Sequence, residues 1–250
     1  MRENVTLIGT IVLASLFMCC EKDNPCSRLV NGVYQYPELT GNPGFSKQET
    51  YKYFDIPNDV KRCISTKGLI ESCLFYPQAS LMYASSSGLQ AGYGWLRSVF
   101  SGLSELEART DAGAQLLSAY ESIDPLKVSS FEKEIDQGRY ALRLNYLEII
   151  IGQYSNLSKL SVQQKRALVS RARAVYSKKE KEDVYGESGL GVTSVLLGRL
   201  MNQDDYVPFM EVKDQINWNI AENFWSVDAQ ATGTIYSLSE DYLRFLDLGR

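Results

Sequence analysis

From about residue 48 to its end, this chain repeats apolar side chains every three or four positions and interrupts them with caps and prolines. That spacing places one apolar stripe along a helix and leaves no alternating pattern for a half-buried strand. In "STKGLIESCLFYP", Ser65 or Thr66 supplies an N-cap. Leu69, Ile70, Cys73 and Leu74 share a face, and Pro77 stops the helix. "SGLQAGYGWLRSVFSGLSELEAR" reads as one further helix, with Leu89, Tyr93, Leu96, Val99, Phe100 and Leu103 inward. "DAGAQLLSAYESI" begins at Asp111 and ends before Pro125. "SSFEKEIDQGRYALRLNYLEIIIGQY" carries Phe131, Ile135, Tyr140, Leu142, Tyr146, Ile149 and Ile150. "SVQQKRALVSRARAVYSKK" opens on a capping box, Ser161 with Gln164, in which side chain and backbone satisfy each other's first-turn donors. "SGLGVTSVLLGRLMN", "VPFMEVKDQINWNIAENFWSV" and "SEDYLRFLDL" supply the rest. About eight helices with short connections predict an all-α fold of packed helical hairpins over residues 48–250. A short solenoid-like array also suits these lengths, although no repeat period is visible.

Composition sets limits on function. Of 250 residues, 44% are hydrophobic and 22% charged, enough apolar material for a sizeable core. The net charge of -4 offers no basic face, so nucleic acid is not an expected partner. The chain has no histidine, which removes Ser-His-Asp and Cys-His nucleophile systems, HExxH zinc sites and imidazole acid–base chemistry. Neither a cofactor nor a metal is implied. Acidic pairs such as Glu182-Asp183, Asp204-Asp205 and Glu240-Asp241 lack the alternating spacing of a calcium loop.

The N-terminus carries an address. Arg2 precedes an apolar run from Val5 to Met18, too short to span a bilayer and shaped like a secretory signal over residues 1–19. "LFMCCEKD" then resembles the lipobox of bacterial lipoproteins, in which a cysteine after the apolar run is acylated and becomes the new N-terminus. Cys20, with the small Cys19 before it, is the expected lipidation site, and Cys19 the alternative. Glu21 and Asp23 resemble the acidic tag that sends some lipoproteins to the outer face of the outer membrane. The resemblance implies a protein lipid-anchored to the outer membrane at the cell surface, with the periplasmic face as the alternative. Residues 20–47, rich in Pro, Gly and Asn, read as a tether with short extended pieces docked on the fold. After acylation Cys26, Cys63 and Cys73 remain. Cys63 and Cys73 are open to pairing, or to burial as thiols, and spacing does not decide between these. "ISTKGLIESCLFYP" with "GLSELEARTDAGAQLLSAY" also resembles uncharacterised exported bacterial proteins, and no activity comes with that likeness.

Three stretches invite a functional reading. The glycines of "GLQAGYGW" have no GK[ST] after them and read as close helix packing. Lys159, Lys165, Arg166, Arg171, Arg173, Lys178, Lys179 and Lys181 read as the solvated face of one helix. In "EVKDQINWNIAENFWSVD", a continuous helix puts Val212, Ile216, Ile220, Phe224 and Val227 on a core side. Glu211, Asp214, Trp218, Glu222 and Trp225 then fall opposite. Indoles beside carboxylates suit sugar stacking or a protein interface, so Asp214, Trp218, Glu222 and Trp225 are the candidate binding residues. The competing arrangement is a helix buried on both faces. Asp214 and Glu222, ~12 Å apart by helical rise, are too far apart to hydrolyse a glycoside together. The expectation is a lipid-anchored envelope protein that binds a glycan, a peptide or a protein. A carboxylate hydrolase, or a structural accessory subunit of an outer-membrane complex, is the alternative.

Overall fold

Side-chain caps start some of the helices in the computed structural model, which describes residues 24–39, 44 and 46–248. Cys19, Cys20, Glu21 and Asp23, and the signal segment 1–19, lie outside the described residues. Helix α1 (Lys47–Tyr53) starts at a capping box made by Ser46 and Glu49. After α2 (Asn58–Cys63), α3 (Thr66–Leu74) starts at Ser65, whose hydroxyl accepts from the Gly68 amide. A 3-10 turn, Ala79–Ala84, leads to α4 (Leu89–Val99), α5 (Ser101–Ala108) and α6 (Ala112–Ser122). Then come α7 (Glu134–Ile151), the single turn α8 (Tyr154–Leu157), and α9 (Val162–Lys179) with the expected Ser161–Gln164 box. The chain closes with α10 (Gly186–Gln203), α11 (Val207–Val212), α12 (Trp218–Phe224) and α13 (Ala229–Asp247). The fold is all-α, and its one small sheet among the described residues is the hairpin β1 (Leu29–Val30) and β2 (Val33–Tyr34).

The helices gather around α10 and do not follow one another in file. Every residue of α10 from Gly191 to Met201 is buried, and α7, α8, α9, α11, α12 and α13 all pack on it. A helix with no polar face has to sit at the centre. One contiguous apolar cluster runs from Tyr34 through α3, α6 and α7 to Leu246 of α13.

Several expectations change at this level. The helix expected across residues 87–109 breaks at Phe100, whose ring stacks on Tyr76 at 3.9 Å between centroids. Asp55 caps the new start by accepting from both the amide and the hydroxyl of Ser101, each at 2.8 Å. Gly92 does serve close packing, because a Cβ there would collide with the Met82 carbonyl. Cys63 pairs with Cys26, their Cα atoms 6.1 Å apart, and Cys73 is a buried free thiol. The considered Cys63–Cys73 pairing is therefore corrected. Cys63 ends α2 and Cys73 lies in the last turn of α3, while the 3-10 turn Pro25–Arg28 packs Cys26 against α2. The part of the tether from residue 24 to 39 is docked on α3. The Tyr34 amide donates to Ser72 Oγ at 3.0 Å, and the Tyr36 hydroxyl donates to the Ser72 carbonyl at 2.8 Å.

The basic run is also not a solvated face. Lys159 donates to the Glu107 carbonyl and Arg171 to the carbonyls of Tyr120 and Ile123. Arg173 donates to the Tyr236 carbonyl and Ser239, and Lys165 pairs with Asp204. Long cationic side chains here act as struts between helices, their stems on apolar surface and their heads on carbonyls.

Candidate functional site

The expected site does not form one face. Residues 211–228 are not a continuous helix: α11 ends at Val212, Asn217 takes a left-handed conformation (φ 51°), and α12 ends at a left-handed Trp225 (φ 51°). Each break rotates the chain, and the inside–outside assignment inverts within α12 and its cap, whereas Ile216 and Val227 pack on the core as expected. Trp218 and Trp225 are buried, at 3% and 1% exposure, whereas Ile220 and Phe224 are 62% and 47% exposed. The two indoles fill slots left by glycines, Trp218 against Gly198 of α10 and Trp225 against Gly152 after α7. Trp225 Nε1 donates to Gln90 at 2.9 Å. Glu222 pairs with the buried Arg199 at 3.1 Å, whose guanidinium lies between Tyr154 and Trp225 at 4.8 and 4.7 Å. Glu211 and Asp214 are exposed. The presented aromatic platform is thus corrected to a core-packing element. A small pocket of about 110 Å³ near α11 and the start of α13 includes none of the four candidate residues. Asp204 is also committed, held by Lys165 and by the Tyr242 hydroxyl.

Two polar clusters that sequence reading passed over both involve α7. The first is sealed in the core. Glu148 Oε2 receives Lys179 Nζ at 2.6 Å, and Glu148 Oε1 accepts from the Tyr120 hydroxyl at 2.7 Å and from Thr193 at 2.8 Å. Lys179 also donates to Asn145 Oδ1 at 2.8 Å and to the Gly189 carbonyl at 3.0 Å. Neither charged side chain has any exposure. Desolvation pulls the Lys179 ammonium below its ordinary range, and the Glu148 charge opposes that pull. Burial, with Glu148 as its partner, pushes the Tyr120 hydroxyl well up. The sequence signal was a carboxylate inside an apolar run, "YLEIII".

The second cluster opens to the surface. A groove of about 680 Å³ lies between the end of α3 with the following 3-10 turn and the outer face of α7. Leu74, Phe75, Tyr76 and Tyr83 line one side, and Tyr140, Leu142, Arg143 and Tyr146 the other, with Asp136 and Arg139 in the first two turns of α7 and Phe131 just before it. Phe75, Tyr83 and Leu142 are exposed at 55%, 39% and 45%. Among the described residues, seven buried side-chain polar atoms lack a hydrogen-bond partner. Three of them, the hydroxyls of Tyr76 and Tyr146 and Arg143 Nε, belong to groove residues. Tyr76 and Tyr146 are each 3% exposed. Burial raises both hydroxyls above the ordinary phenol range, so they remain protonated and neutral. Arg143 stacks over Phe75 at 3.9 Å and pairs with Glu71 at 2.6 Å, and Arg139 pairs with Asp136 at 3.2 Å. An apolar concavity of this size with a few convergent polar groups has the form of a ligand site. Ile135 and Leu142, expected with Tyr146, Ile149 and Ile150 on the apolar side of this helix, are instead exposed at 61% and 45%, so the sequence carried no signal for the groove.

Among the described residues no group of three or more His, Cys, Asp or Glu side chains is placed to hold a metal, and no helix is long and apolar enough to cross a membrane. In comparisons with known proteins, no family model, no curated protein and no solved structure matches the chain.

Proposed function

We propose that this chain is an extracytoplasmic binding protein of the bacterial envelope, lipid-anchored through Cys20, that holds its ligand in the groove between α3 and α7. The observation that carries the binding reading is the apolar groove itself, about 680 Å³ in volume and edged by the exposed side chains of Phe75, Tyr83 and Leu142. The address rests on the signal-like run and "MCCEKD", and a Cys26–Cys63 disulfide suits an oxidising compartment outside the cytoplasm.

A hydrolase gains less support. Asp136 is the one carboxylate among the residues lining the groove, and Arg139 occupies it, so no opposed carboxylate pair stands there. The site is tested by plugging it. Leu142→Glu should abolish binding of an apolar reporter dye while leaving the helical signal intact; undiminished dye binding would remove the groove from the account. The anchor is tested by metabolic labelling with palmitate, which should fail in Cys20→Ser and persist in Cys19→Ser.

A further inference from the structure

We infer that one end of the domain is a contact face for an anionic lipid surface, an assignment that rests on the anchoring at Cys20 proposed above. This end comprises the 3-10 turn Pro25–Arg28, the hairpin, α2 and the first turn of α3. Cys26 is fixed to the domain there, because its turn packs on α2 and its sulfur is bonded to that of Cys63. Cys26 lies six residues after Cys20, a stretch that reaches at most ~22 Å when fully extended. A compact domain of about 200 residues has a radius of gyration of ~16 Å and is therefore ~40 Å across. The leash is shorter than that width, so the side of the domain far from Cys26 cannot be brought to the bilayer.

Charge then selects among the sides within reach. Arg28, Arg62 and Lys67 are exposed on these elements, and none of the ion pairs among the described residues engages them. Lys61 precedes Arg62 on α2 and meets only a neutral hydroxyl, that of Ser101. Asp59 is the one carboxylate on the same elements, so four cations stand against one anion. Glu21, Lys22 and Asp23, which link this end to the anchor, add one net negative charge and leave the excess positive. The hairpin turn lies close against the start of α3, where a Cβ on Gly68 would strike the Gly32 carbonyl. Val30 of that hairpin is 53% exposed, and an apolar residue among cations suits the boundary between headgroups and acyl chains. Anionic headgroups attract Lys and Arg within about a Debye length of the surface, ~8 Å at physiological salt, a separation that the leash allows. The chain as a whole carries a net charge of -4, so the attraction is confined to this end and orients the domain.

The experiment uses the full acylated chain in vesicles of phosphatidylcholine, alone or mixed with phosphatidylglycerol, followed by flotation and by amide hydrogen exchange. The expected result is flotation with both compositions. Exchange in residues 29–34 and in α2 should be about threefold slower or more when phosphatidylglycerol is present, with α13 unchanged. The combined variant Arg28→Glu, Arg62→Glu and Lys67→Glu should lose that slowing while keeping its flotation and its unfolding midpoint. Val30→Asp, a single change on the hairpin, should lessen it. Failure to float with either composition would remove the anchoring reading and this face with it. Flotation with equal exchange on the two compositions, or slowing that survives the charge reversal, would overturn the anionic face and leave the anchor standing. Slowing confined to α12 or α13 would show that another side meets the lipid. Slowing on pure phosphatidylcholine that grows with chain density would mean that a second copy of the chain covers this face, and would overturn the lipid assignment.

Discussion

Helix α7 presents two polar clusters to opposite surroundings, and they treat hydrogen bonding in opposite ways. On its inner side Glu148 and Lys179 have no exposure, yet both carboxylate oxygens and the ammonium are fully engaged across α6, α9 and α10. On its outer side Tyr146 and Arg143 hold polar atoms that meet no partner. Buried polar groups are costly unless paired, so the first arrangement is what a stable core requires. The second is a local deficit that the fold carries. Burial and an unusual titration do not by themselves mark a functional site, since the core cluster has both and no route to solvent. Incomplete pairing beside a concavity is the better marker.

The sharpest way to break this comparison is to empty one side of the core pair. Lys179→Met leaves a carboxylate buried with only neutral donors and should cost about 3–5 kcal/mol. The double change Lys179→Met with Glu148→Leu should regain most of that loss, because it removes both charges together. Urea unfolding measures both. A single variant within ~1 kcal/mol of the parent would mean that the cluster is hydrated and not a sealed core.

A smaller effect should separate the two sides spatially. The α3 wall of the groove is braced by the hairpin, through the Cys26–Cys63 bond and the contacts of Tyr34 and Tyr36 with Ser72. Cys63→Ser should cost ~2–4 kcal/mol by freeing the loop in the unfolded chain. Amide exchange should then rise in α3 and stay unchanged in α9 and α10. Equal acceleration in both places would show one cooperative unit, with no separate wall.

Much of the fold was legible because its causes are local. Ser65 and Ser161 cap helices through their own side chains, and Pro125 follows the end of α6 at the expected place, whereas the last helix starts at Ala229 behind an Asp228 cap and not at the expected SEDYLRFLDL. The burial of α10 from Gly191 to Met201 follows from its apolar stretches, with Thr193 and Arg199 turning their polar atoms to Glu148 and the Gly152 carbonyl. What failed to show was set by distant partners. Nothing near Phe100 announces that Asp55, far back in the chain, will cap a new helix there. The tryptophans point inward because Gly152 and Gly198 leave room for them, and the left-handed turns at Asn217 and Trp225 break the phase. A periodicity argument across those turns had to invert the face. The groove was illegible for the same reason, since Phe75 and Tyr146 meet only through packing of α3 against α7.

The next contrast sets two tyrosines against each other. Tyr120 donates to the Glu148 carboxyl that also receives Lys179, and Tyr120→Phe removes that bond, with an expected cost of ~1.5–3 kcal/mol. If that variant proved neutral, the claim that the core cluster depends on complete pairing would fail.

Tyr146→Phe should cost almost nothing at neutral pH, within about 0.5 kcal/mol, because the hydroxyl it deletes has no partner to lose. The same variant has a signed consequence in alkali. Burial holds the Tyr146 proton in the folded state well above the phenol's ordinary value, whereas the unfolded chain releases it near pH 10. Above that pH the unfolded state binds fewer protons, so this tyrosine makes stability fall as pH rises. Phenylalanine has no proton to hold. The variant should therefore overtake the parent above pH 10, by up to about 1.4 kcal/mol for each further pH unit until the folded-state hydroxyl itself ionises. Tyr120→Phe should show the same alkaline trend from a lower starting point, since its hydroxyl is also held protonated. Parallel lines for parent and Tyr146→Phe would mean that solvent reaches the Tyr146 hydroxyl, and the contrast between a sealed, unpaired phenol and the paired Tyr120 would fail.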